Sequence, residues 1–135
     1  MRVAVFGAGG VGAYFGARLA EAGAGLAVIA RGANLDAIRA NGLRVDSVLG
    51  DMLLEPAIAS ASTADVGPVD VVLLGVKTWQ VPEAMQSLGR YVTTLASPRG
   101  LQVGLIEGLP GYHNTERMEG FLSGIAACKV KDLCR

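Results

Sequence analysis

The sequence is poor in cysteine, histidine and aromatic residues, and it carries no excess of either charge. Its two cysteines, Cys128 and Cys134, have five residues between them, and its one histidine, His113, lies well upstream. That spacing is neither a zinc-ligand pattern nor a C-x-x-C redox pair, so no metal is expected and the thiols read as reduced, in a cytoplasmic protein. Twelve basic residues offset twelve acidic ones, and there are only one Trp, three Tyr and three Phe. A nucleic-acid partner calls for a positive surface and stacking groups, so none is expected. Long apolar runs are absent too: the best, Val71 to Val76, falls far short of the ~20 residues that span a bilayer, and no membrane association is expected. Arg2 does precede fifteen uncharged residues, Val3 to Ala17, but the five glycines among them and the charges at Arg18 and Glu21 do not fit the apolar core of a secretion signal.

What is abundant is glycine, 19 of 135 residues, within a chain that is 51% hydrophobic with a mean hydropathy of +0.42. That length and apolar content suffice for one domain with its own core. The glycines are most informative between Met1 and Arg31. Arg2 to Phe6 reads as a short buried strand, and Gly7, Gly9 and Gly12 follow at once in the pattern G-x-G-x-x-G. The first glycine suits a tight turn, the second lets backbone approach a pyrophosphate, and the third allows a helix to pack closely on the strand. A helix from about Val11 to Ala22 carries Gly16 and Ala20 on one side, Gly23 stops it, and a second strand runs from Leu26 to Ala30. A glycine-rich chain produces such spacings by chance, and a turn that binds nothing is the plain alternative. The strand before, the proline-free helix after, and the second strand are the context that makes the motif a dinucleotide site. Gly7, Ala8, Gly9, Gly10, Val11 and Gly12 are then the pyrophosphate-binding residues, with their N–H groups and the helix dipole facing the anion.

The residue ending the second strand selects the cofactor. An acid there takes the ribose hydroxyls of NAD, whereas here the residue is Arg31 and the next acid, Asp36, falls inside the following helix. A guanidinium suits the 2′-phosphate of NADP(H), at about 1.5 to 3 kcal/mol, or roughly ten- to a hundredfold. A solvated strand-end charge is the competing reading of Arg31.

Further along, Asn34 to Asn41 reads as a short helix capped by Asn34 and stopped by Gly42. Leu43 to Val48, a turn at Gly50-Asp51, and Met52 to Ala59 read as a hairpin extended across Pro56. Ser60 to Pro68 is a small-residue loop. Val71 to Val76 is the strongest strand and is expected to be central in the sheet. Lys77-Thr78-Trp79-Gln80 follows directly, then a helix from Pro82 to about Leu88. Carboxyl ends of strands line the ligand crevice of open α/β sheets, so Lys77 is a candidate for phosphate or carboxylate, and Gln80 for ribose or nicotinamide. A solvated Lys77 and a packing role for Trp79 are the alternatives.

The stretches MRVAVFGAGGVGAYFGARLAEAGAGLAVIAR, RANGLRV (Arg39 to Val45) and VDVVLLGVKTWQVPEAM (Val69 to Met85) together resemble the N-terminal domain of the ketopantoate reductases (2-dehydropantoate 2-reductases). The glycine turn is common to many dehydrogenases; Arg31 with the later V-K-x-W-Q is far more particular. The resemblance implies NADPH-dependent reduction of a small-molecule 2-keto acid in pantothenate biosynthesis, with Arg31 on the 2′-phosphate and Lys77 and Gln80 on the cofactor's far side. It also implies a strand, for which Leu101 to Ile106 is the candidate, followed by an Asn-Gly pair. Glu107-Gly108 stands there instead, and an anionic side chain would repel a keto acid's carboxylate. In the family a second, helical domain supplies a proton-donating lysine and a carboxylate, and this chain stops before it. Among the remaining residues only His113, Lys77, Lys129 and Lys131 offer a proton, so no catalytic residue is assigned.

The expected architecture is a Rossmann-type, doubly wound α/β fold with a mainly parallel sheet of five or six strands and the family's C-terminal helical domain absent. Residues 1–108 form the NADP-binding domain, and 109–135 a divergent tail, with a helix near Thr115 to Leu122. A non-catalytic NADP(H)-binding module is the alternative to an enzyme, and a homodimer or the missing domain would cover apolar surface left exposed. Arg31→Asp is expected to weaken NADPH binding by about tenfold or more while NADH binding stays within a few fold. Equal losses for both nucleotides, read by calorimetric titration, would remove the 2′-phosphate role.

Overall fold

A computed structural model describes residues 1–95. The expected strand Leu101 to Ile106, the Glu107-Gly108 pair, the helix near Thr115, His113 and both cysteines lie outside the described residues. The chain divides into two compact units, Met1–Val76 and Lys77–Arg135.

In the first unit, β1 (Arg2–Phe6) leads through the glycine turn into α1 (Gly10–Glu21), then β2 (Gly25–Ile29) and α2 (Gly32–Asn41). A hairpin of β3 (Leu43–Val45) and β4 (Met52–Leu54) precedes β5 (Ile58–Ser60), a 3-10 turn over Thr63–Asp65, and β6 (Val71–Leu74). Four strands form one parallel sheet in the order β5-β2-β1-β6. This is the expected parallel α/β sheet. Each early boundary has a local cause: the turn at Gly7 and the stops at Gly23 and Gly42 all adopt positive φ, which side-chain-bearing residues avoid.

Strand alternation explains the packing. Ala59, Val28, Val5 and Leu73 stand in one register row across the sheet and join one apolar cluster with Ala13 and Ala17 of α1, Leu35 and Ile38 of α2, and Leu43, Val45 and Met52 of the hairpin. Val28 is completely shielded from solvent, a burial that contributes about 1.5–3 kcal/mol. On the opposite face Ala4, Phe6, Ala27 and Ile29 are buried as well, so β1 and β2 are covered on both sides. Polar ties close the edges: the Arg2 N–H donates to Asp70 Oδ2 (2.7 Å), the Arg2 guanidinium to the Val66 carbonyl (3.1 Å), and that of Arg39 to the Ala59 carbonyl (3.0 Å).

Two expectations need correction. Met52 to Ala59 is not one hairpin arm: the antiparallel pairing of Leu43 with Leu54 and Val45 with Met52 ends before Pro56, and Ile58 to Ser60 joins β2 in the main sheet instead. Proline has no N–H to extend a ladder, and the chain changes sheets across it. Second, Asn34 does not cap α2; Arg31 holds the N-cap position. Among the described residues β6 lies at one edge of the sheet beside β1, and the strand expected at Leu101 to Ile106 lies outside them. This strand β6 is less buried than β1 and β2, with Val71 exposed and Val72, Leu73 and Leu74 half-buried.

The second unit opens with Lys77, a 3-10 turn over Thr78–Gln80, and α3 (Val81–Leu95), which carries Pro82 in its first turn and runs past the Leu88 expected from sequence. Val81, Ala84, Met85 and Leu88 are buried and share one helical face.

Close packing of α1 on the sheet depends on small residues. A Cβ at Gly16 would lie 2.7 Å from Val5 Cγ2 and 3.4 Å from Leu26 Cδ1, whereas one at Gly10 meets nothing within 4 Å. Gly16→Val is therefore expected to cost about 1–3 kcal/mol through overpacking, and Gly10→Ala about 0.5 kcal/mol at most in either direction. Urea midpoints of the two variants test this, and equal loss in both would contradict the packing role of Gly16.

Candidate functional site

The sheet register aligns the carboxyl ends of the strands. Phe6 pairs with Ile29 on one side and Leu74 on the other, and Ile29 pairs with Ser60. From β1 the chain winds outward through β2 to β5, then returns to place β6 on the opposite flank of β1. The reversal falls between β1 and β6, the place where such sheets open a crevice for ligands. The turn Gly7 to Gly12 leaves β1 at this point.

Backbone contacts hold the turn on both sides. The Gly7 N–H donates to the Ile29 carbonyl (2.9 Å), and the Gly75 N–H to the Phe6 carbonyl (2.8 Å). Gly7 sits at φ +94°, and a Cβ there would lie 2.7 Å from Val76 Cγ1 and 3.0 Å from the Gly75 oxygen. A Cβ at Gly12 would run into the Gly7 carbonyl oxygen, and one at Gly75 would come within 2.7 Å of that same oxygen and 2.8 Å of Gly12 Cα. Gly9 is different. Its φ of −76° is open to any residue, and a Cβ on it would find only the Gly75 oxygen, at 4.0 Å.

Gly9 is also the N-cap of α1, with no side chain to satisfy the helix's first N–H groups. The first intrahelical turn closes with the Ala13 N–H on the Gly9 carbonyl at 2.8 Å. Gly9, Gly10 and Val11 are exposed, while Ala8 and Gly12 are buried beneath them. No acidic residue stands in the first turn of α1 to oppose an anion. The result is an exposed, positively polarised helix end lacking side-chain bulk.

Arg31 lies just past β2, two residues beyond the Ile29 whose carbonyl anchors Gly7. It is exposed and extended (φ −136°, ψ 159°) at the start of α2, whose first turn also lacks an acid; Asp36 comes later, as expected. Asn34, in that first turn, donates from Nδ2 to the Ala8 carbonyl at 2.9 Å and so joins α2 to the glycine turn. An asparagine near a helix start reads as a cap from sequence, and nothing local signals that its partner lies in another loop. Gly75 is the other residue that sequence reasoning passed over. Its signal was a glycine interrupting the apolar run Val71 to Val76, the mark of close backbone approach in a strand.

Lys77 and Gln80 belong to the second unit. The Gln80 side-chain carbonyl accepts the Lys77 N–H (3.0 Å) and the Gln80 N–H donates to the Lys77 carbonyl (2.8 Å), so the acceptor end of the amide is engaged within its own turn and the NH2 end remains to donate. Trp79 is 78% exposed, which overturns a packing role for it. Among the described residues no group of three or more His, Cys, Asp or Glu is placed to hold a metal ion, and no helix is long and apolar enough to cross a membrane.

Comparison with known proteins agrees with this fold. The 2-dehydropantoate 2-reductase of Mesorhizobium japonicum is 34% identical over 116 residues, covering 82% of this chain and 35% of that protein. The crystal structure of a PanE/ApbA family ketopantoate reductase from Ralstonia eutropha JMP134, 30% identical, matches with a TM-score of 0.67 over 91% of this chain and 38% of that one. A D-mandelate dehydrogenase solved with NADH and anilino(oxo)acetate, 22% identical, shares the fold at a TM-score of 0.62 over 90% of this chain and 37% of its own. The chain thus spans little more than a third of the length of these proteins. Residues 3–96 match the family described as ketopantoate reductase PanE/ApbA, and the chain belongs to that family of oxidoreductases.

Proposed function

We propose that this chain is the NADP(H)-binding part of an oxidoreductase that reduces 2-dehydropantoate to pantoate. The observation that carries the proposal is the contrast among the glycines. Gly7, Gly12 and Gly75 are required by the protein's own packing, but Gly9 and Gly10 are not: a Cβ at either meets no protein atom closer than 4.0 Å. Their bareness clears the approach to the α1 N-terminus, which suits a pyrophosphate held by backbone N–H groups.

In this reading Gly7, Ala8, Gly9, Gly10, Val11 and Gly12 hold the pyrophosphate, and Arg31 takes the 2′-phosphate with its guanidinium fork. The family resemblance assigns Lys77 and Gln80 to the nicotinamide half. NADPH, when bound, supplies a hydride to the carbonyl carbon of the keto acid. Reduction also requires a proton for the carbonyl oxygen as charge develops there. No described residue is assigned that step. The chain's contribution is to bind and orient the cofactor, and the choice of NADPH over NADH rests with Arg31.

The direct test is calorimetric titration of the chain with NADPH and then NADH, followed by single-turnover mixing of the NADPH complex with 2-dehydropantoate. Preferential NADPH binding is the expected result. Oxidation of the bound NADPH would add the reaction to the binding role; binding without oxidation would leave the chain the binding role alone, and failure of a folded chain to bind either nucleotide would overturn the proposal. Gly9→Val sharpens it. Because a side chain at Gly9 has room within the protein, the variant is expected to keep its circular dichroism spectrum and melting temperature while losing affinity for both nucleotides by about a hundredfold, the scale of a few lost phosphate hydrogen bonds. Undiminished binding by the folded variant would make the glycine turn only a turn.

A further inference from the structure

Asn34 is the side chain that crosses from the first turn of α2 to the glycine turn, donating from Nδ2 to the Ala8 carbonyl at 2.9 Å. Ala8 is the residue between the first two glycines of the motif, and its carbonyl belongs to the Ala8–Gly9 peptide. In a trans peptide the C=O and N–H point in opposite directions, so holding the Ala8 oxygen toward α2 also fixes the direction of the Gly9 N–H. The same contact turns the negative end of that peptide away from an anion bound at the α1 N-terminus and pairs it with a donor. Ala8 is buried while Gly9 and Gly10 are exposed, so the clamp acts on the floor of the turn and leaves its open side unobstructed. Asn34 also lies three residues after Arg31 on the same helix start. One turn of α2 therefore carries both the charge offered to a 2′-phosphate and the tie to the pyrophosphate turn.

We propose that Asn34 is a positioning residue: it holds the Ala8–Gly9 peptide in the orientation that receives the cofactor's pyrophosphate. The inference rests on the cofactor reading above, and it makes a prediction which that reading does not. Removing the tie must weaken what NADPH and NADH have in common, whereas changing Arg31 acts on NADPH alone.

The test is titration of wild type, Asn34→Ala, Asn34→Asp and Arg31→Ala with NADPH and with NADH, alongside thermal melts without nucleotide. Asn34→Ala is expected to weaken both nucleotides by the same factor, about three- to tenfold, the scale of one neutral hydrogen bond. Asn34→Asp keeps the shape but sets a carboxylate against the Ala8 oxygen, so its loss should be greater. Yet an acid in the first turn of α2 favours the helix and offsets part of the stability lost with the hydrogen bond, so the melting temperature of Asn34→Asp should fall no further than that of Asn34→Ala. A larger loss of affinity in the variant that is no less stable is a signature that a purely structural role would not produce. Wild-type affinity in folded Asn34→Ala would overturn the proposal, as would a loss confined to NADPH, which would put Asn34 on the 2′-phosphate itself. If wild type binds neither nucleotide, the cofactor reading fails and this inference with it; if wild type binds and Arg31→Ala alone is impaired, only the inference fails.

Discussion

Backbone meets backbone where Gly7, Gly12 and Gly75 come together, and the rest of the first unit depends on that contact. A side-chain carbon at Gly12 would strike the Gly7 carbonyl, and one at Gly75 would press on both neighbours. With all three bare, β1, β6 and the start of α1 approach within van der Waals distance. The consequence is that α1 leaves the sheet with its first N–H groups at the β1–β6 reversal and not displaced from it. Gly16 extends the same close approach one turn further along α1, over Val5 and Leu26. Packing and site are thus built by one device, and the two kinds of glycine can be told apart by what surrounds them.

Electrostatics reinforce the arrangement at the two helix starts. Neither α1 nor α2 has an acid in its first turn, and Arg31 stands at the head of α2. Arg18 pairs with Glu21 on α1, and Arg44 with Asp46 by the hairpin. Both are exposed and contribute little to stability. Arg18 has a second task, since its guanidinium also donates to the Leu49 carbonyl (2.9 Å) and so ties α1 to the hairpin turn.

The part of the fold legible in the sequence was the part dictated by local patterning. Alternation, glycine stops and the G-x-G-x-x-G spacing located β1, α1, β2 and the start of the hairpin to within a residue or two, because each boundary has its cause nearby in the chain. The misplacements share a different cause. Whether Ile58 to Ser60 pairs with the hairpin or with β2, and whether Asn34 caps its own helix or reaches Ala8, are decided by partners far away in sequence. Gly75 illustrates the limit well. Its position in an apolar run signals close approach, but that the approaching backbone is Gly7 and Gly12 follows only from the parallel pairing of β1 with β6.

The central claim is that the exposed turn Gly9 to Val11 and the head of α2 form one dinucleotide site. It is tested most directly by following backbone amide resonances of the isotopically labelled chain during addition of NADPH. The account predicts that the largest shifts fall on Gly7 to Gly12 and on Arg31 to Asn34, with the latter group moving much less when NADH is added. Saturable shifts centred elsewhere, such as on the cleft between the end of α2 and Glu55-Pro56, with the glycine turn unmoved, would contradict it.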